Sequence, residues 1–152
     1  MIKLKEAHVE GTANRSNALR RLRIFALILG ASILLWLPFE DASLYWVILF
    51  AILIGCWGAA RFLVNYPGDS RLGLWVYPLC GALAGVAVTP IAIVLMIVKN
   101  GLHAHGAPDF TLDHIVSVVL RTPVWLVGGS LIGAGLGLWQ KSKLSLKKPE
   151  NT

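Results

Sequence analysis

GLWVYPLCGALAGVAVTPIAIVLMIV, residues 73–98, carries no charged side chain from end to end. A helix needs about 20 residues to cross the roughly 30 Å of a bilayer's hydrocarbon, and about 17 to 25 are tolerated. Residues 24–39, 44–60 and 120–139 are apolar runs of the same kind, the first being the shortest. Leu22 extends that first run, and Arg23 can snorkel from its end to the headgroups. The whole chain has 152 residues, 56% of them hydrophobic and 14% charged, well below the roughly 25% charge usual in soluble domains. Its mean hydropathy is +0.67. This composition excludes a disordered chain, and 2 cysteines are too few for a disulfide framework.

The pattern predicts an all-α integral membrane protein, a compact bundle of four transmembrane helices spanning residues 24–139. A basic tail precedes it (1–23), another follows it (140–152), and residues 99–119 form an extracytoplasmic His/Asp loop with a short helix. A secretory signal peptide is the competing reading of the first run, because Arg20, Arg21 and Arg23 precede it. Pro38, Phe39, Glu40 and Asp41 make a poor small-residue cleavage site, so the run is expected to stay.

Twelve of the 14 Lys and Arg residues fall before residue 24, between the second and third runs, or after Trp139. Only Lys99 and Arg121 fall on the other side, with Glu40, Asp41, Asp109 and Asp113. The positive-inside bias then predicts a multi-pass cell (inner) membrane protein with both termini cytoplasmic. Trp36, Trp46 and Trp125 are expected at the outer interface, and Trp57, Trp75 and Trp139 at the inner one. The net charge of +6 is thereby an orientation signal and does not call for a nucleic-acid partner. The expected partners are the lipid bilayer, anionic lipids at the basic tails, and other membrane-protein subunits or a second copy of the chain.

Helices in lipid pack through small residues. Gly129, Gly133 and Gly137 repeat every four residues, as do Gly81, Gly85 and Thr89 on the third run. The expectation is packing within one bundle. Pro78 and Pro90 would interrupt the third span, and Pro123 lies near the expected outer end of the fourth. Cys56 and Cys80 read as small packing residues.

The spans hold no Asp, Glu, His or Lys in their interiors, and Arg121 counts as a boundary residue. That weighs against proton relays, ion-coupled carriers and voltage sensors, and it leaves no catalytic constellation in the bilayer. The outer loop is denser in chemistry: His103, His105, Asp109, Asp113 and His114 crowd together. Imidazole and carboxylate suit a divalent metal such as zinc, although the spacing matches no closed zinc motif. A polar loop whose histidines bond carbonyls is the plainer reading, and no cofactor is otherwise expected. Thr111 is placed to cap the short helix that carries His114.

Two function classes remain. The first is a non-catalytic accessory, assembly or scaffold subunit; the second is a small oligomeric channel or carrier whose outer His/Asp cluster gathers a cation. A metal-dependent enzyme of the outer surface ranks third, since no separate general base is identifiable.

Overall fold

The computed structural model describes residues 2–39, 43–66, 73–102 and 109–146. There the chain is helical throughout: α1 (Ile2–Trp36), α2 (Leu44–Asn65), α3 (Val76–Leu102), α4 (Leu112–Leu120) and α5 (Thr122–Leu146). Three helices are long and apolar enough to cross a membrane, within Leu44–Asn65, Val76–Leu102 and Thr122–Lys143. The first apolar run does not stand alone. It is the end of a single 35-residue helix that begins in the basic tail, so Arg20, Arg21 and Arg23 are part of the same rod.

Sequence explains where these helices stop. α1 ends two residues before Pro38, and α2 ends before Tyr66, whose φ of −72° and ψ of 122° are the extended values imposed on a residue preceding proline. Pro78 sits in the first turn of α3, where a missing N–H breaks no bond, so it does not interrupt the span as expected. Pro90 is truly interior.

α1 runs antiparallel to α2. Arg15 Nη2 donates to the Asn65 carbonyl (3.4 Å) and to Asn65 Oδ1 (3.3 Å), satisfying an end-of-helix acceptor. Further along, Trp57 Nε1 donates to the Leu22 carbonyl at 3.0 Å, and the Trp36 and Phe50 rings meet at 5.4 Å. α2 approaches α3 where Gly55 faces the Ala84 carbonyl. The core between α1, α2 and α3 includes Leu29, Trp36, Val47, Ala51, Ala92 and Met96, closed at one end by Phe110 and Val118.

The tightest interface is α3 on α5. A β-carbon built on Gly81 would overlap the Gly129 carbonyl oxygen, one on Gly85 the Trp125 carbonyl, and one on Gly133 the Tyr77 carbonyl. The partners step by four residues in opposite directions, 77 with 133, 81 with 129 and 85 with 125, which defines an antiparallel backbone-to-backbone seam. Polar pairs close both ends: Tyr77 donates its phenol to Gln140 Oε1, and the Thr89 and Thr122 hydroxyls lie 2.7 Å apart. Gly137 packs on the Tyr77 ring.

The helices follow one another as α1, α2, α3, α5, each packing mainly on the next, instead of closing into the compact bundle expected from the glycine stripes. The reason is the placement of those stripes. α5 sets Gly129, Gly133 and Gly137 against α3, and its other faces carry exposed Val124, Leu131, Ile132 and Leu138. A belt of that size in water would be an aggregation liability, whereas in lipid it is the natural outer surface.

Candidate functional site

Two polar features interrupt this apolar framework. The first lies where α4 meets α5. Pro123 offers no N–H to the Val119 carbonyl, and the Thr122 hydroxyl fills that place, donating to it at 2.7 Å. With its one proton used there, Thr122 Oγ1 accepts from the Thr89 hydroxyl. Val124 and Trp125 N–H groups both reach the Arg121 carbonyl, at 3.0 and 3.2 Å. α4 therefore runs on into α5 through these bonds, and the junction touches α3 at Thr89, one residue before Pro90.

This geometry sets the level of Arg121 against α3. Its neighbour Thr122 touches Thr89, midway along α3, whereas Phe110 is held at the far end of α3 by Asn100. Leu120 is 73% exposed and Val124 68%, so apolar surface continues on both sides of the arginine. Leu112 and Val116 on α4, and Val94 and Ile97 on α3, extend that surface beyond it. Arg121 is thus an exposed cation flanked by exposed apolar side chains, immediately before the candidate span Thr122–Lys143 and level with the middle of α3. Its guanidinium has no partner among the described residues, and Asp113 and Arg121 form no ion pair there. Trp125, in the first turn of α5 as its expected place near the outer end requires, is half-buried with its backbone carbonyl against Gly85.

The second feature is the far end of α3. Lys99, at the end of α3 expected to face the outer side, is wholly buried, with its ammonium 4.1 Å from the centroid of the Trp36 ring. The ring's negative face and the α3 C-terminus both favour that charge. The signal was present in the sequence, because Val88, Ala92, Met96 and Lys99 fall on one helical stripe. Beside it, Asn100 Nδ2 donates to the Phe110 carbonyl (2.9 Å), and the Phe110 N–H donates to Asn100 Oδ1 (3.0 Å). One side chain thereby imitates a strand partner and pins the start of α4.

The Phe110 ring is buried edge-on against His114 at 5.9 Å. Thr111 is the N-cap of α4, and its N–H donates to His114 Nδ1 at 3.2 Å. His114 is therefore a capping residue whose remaining ring nitrogen is Nε2. Of the other candidate ligands, His103 and His105 lie outside the described residues, Asp113 is exposed on the first turn of α4, and Asp109 is partly buried beside Phe110. Among the described residues no three His, Cys, Asp or Glu side chains come together as a metal group.

Asn100→Ala is expected to remove both Phe110 bonds and destabilise the end of the fold by about 2 kcal/mol, two part-buried hydrogen bonds at about 1 kcal/mol each. Amide exchange at residues 109–111 reads this directly and should accelerate in the variant. Unchanged exchange there would mean that the Asn100 contacts do not hold the segment.

No protein-family model matches the chain, and no curated protein or solved structure matches it either. What fold and site define is an all-helical protein with three helices able to cross a membrane, carrying an exposed arginine immediately before the third of them.

Proposed function

We propose that the chain is a four-pass protein of the cell membrane, with both termini cytoplasmic, acting as a non-catalytic accessory, assembly or scaffold subunit. The fourth crossing is α1, whose apolar end packs along α2 from Leu22 to Trp36. The orientation rests on the partition of Lys and Arg between the two sides. No enzymatic reaction and no cofactor are part of this proposal.

The observation that carries it is Arg121. Its level beside the middle of α3 and its exposed apolar neighbours read as a mid-span position, where a cation is expensive unless a neighbour supplies counter-charge, and such residues ordinarily pair within a bundle or across an interface. This chain's eight acidic residues all lie outside its apolar runs, so a second copy brings no carboxylate to that depth. A different membrane protein with an acidic or strongly polar residue in a span satisfies it.

The experiment is purification in mild detergent followed by native mass spectrometry. The wild-type chain should travel with a second polypeptide at fixed ratio, Arg121→Leu should lose it, and Arg121→Lys should keep part of it. A single chain in every case would overturn the proposal.

A small carrier is the second reading, favoured by the polar Thr89 and Thr122 contact, where the α4–α5 junction meets α3 beside Pro90, since discontinuous spans often frame transport sites. The buried ammonium of Lys99 works against entry of a cation at that end. Tracer flux in reconstituted liposomes would favour the carrier.

A further inference from the structure

Between α2 and α3, on the side away from α5, runs an open groove of about 400 Å³, within the range of ligand-sized sites. Its floor is made of small residues, Gly55, Gly58 and Ala59 on α2 with Ala84 and Ala87 on α3, and its walls are apolar. From Cys80 to Ile91 it follows α3 for about 16 Å, the depth of one leaflet's hydrocarbon.

One end of the groove is different. Trp57 and Phe62 line it, and the Arg61 guanidinium lies 5.8 Å from the Trp57 ring centroid. The Trp57 indole N–H is already committed to the Leu22 carbonyl, which fixes the ring and brings the α1 segment with exposed Arg20, Arg21 and Arg23 to the same level. An apolar trough one leaflet deep, ending in a cationic rim, is complementary to an amphiphile with an anionic head. A partner helix would need no such charge at its end, and a zwitterionic lipid would gain less from it.

We propose that this groove holds one anionic phospholipid, an acyl chain along Gly58 and Ala87 and its phosphate at Arg61. The proposal rests on the reading that the chain is embedded in a bilayer. Gly58 provides the test, because a β-carbon there meets nothing within 4 Å, so a leucine fills the groove without disturbing the helices.

Wild type, Gly58→Leu and Arg61→Gln are each reconstituted in nanodiscs of equal phosphatidylglycerol and phosphatidylcholine, released in the mass spectrometer, and scored for retained lipid. Wild type should keep one phosphatidylglycerol, and Gly58→Leu should lose it with thermal stability unchanged or raised. Arg61→Gln should reduce the preference for phosphatidylglycerol about fivefold, the effect of one basic residue near an anionic surface. Equal retention by wild type and Gly58→Leu would overturn the proposal. So would a dimer that Gly58→Leu dissociates, since the groove would then belong to a second copy. Alkaline extraction of the same nanodisc protein from vesicles reports embedding separately, so failure of lipid retention is distinguishable from failure of the membrane reading.

Discussion

Gly81→Leu is expected to separate α3 from α5 and to lower stability by about 3 kcal/mol, the upper part of the range for overpacking, because the obstacle is backbone. The groups in the way are the Gly129 carbonyl and the Gly133 α-carbon, neither of which can rotate aside as a side chain would. Moving them means sliding a whole helix, which also strains the Tyr77 to Gln140 and Thr89 to Thr122 pairs at either end of the seam. Gly129→Leu and Gly133→Leu should behave alike. Gly128 and Gly135, on the same helix, face open space, and alanine there should be neutral or stabilising, since alanine exceeds glycine in helix propensity by about 1 kcal/mol. Thermal unfolding in detergent separates the two groups. Equal effects from Gly81→Leu and Gly128→Ala would mean that no close seam exists.

Arg121→Leu should have the opposite sign for the isolated chain. An arginine near the centre of a span opposes insertion by about 2.5 to 3.5 kcal/mol on translocon scales, and leucine slightly favours it. An insertion reporter fused around residues 112–146 should therefore shift strongly toward the inserted form in the variant. A small shift would place Arg121 at headgroup level and remove the reason for a partner. The same substitution should cost the protein its associated polypeptide, so greater stability in isolation and loss of assembly are expected together.

Much of this was legible in the sequence. The glycine spacing on the third and fourth runs announced close packing, and the Thr111 cap of the short helix follows from its position before an apolar repeat. Register was not legible, because stripes of small residues state which faces pack without saying which rung meets which. Counted from Trp139, Arg121 is a boundary residue, and the span Thr122–Lys143 does begin just after it; what the Thr89 to Thr122 contact adds is that it lies level with the middle of α3. The shelter of Lys99 was not legible for a different reason. A lysine at the end of an apolar run defaults to solvent, and the aromatic ring that shelters it comes from α1, more than sixty residues earlier in the chain. The histidines divide in the same way, since local spacing gave His114 its helix, but a metal group depends on loop geometry that spacing alone does not fix.

Sidedness tests the central claim most directly. In a chain with Cys56 and Cys80 replaced by serine, single cysteines at Ser16, Asp113 and Ser142 occupy exposed positions on α1, α4 and α5. An impermeant maleimide added outside intact cells should label Asp113→Cys and leave Ser16→Cys and Ser142→Cys untouched until the membrane is opened. Labelling of only one of those two from outside would put the termini on opposite sides, which a four-pass protein cannot do, and protection of Asp113→Cys would reverse the orientation.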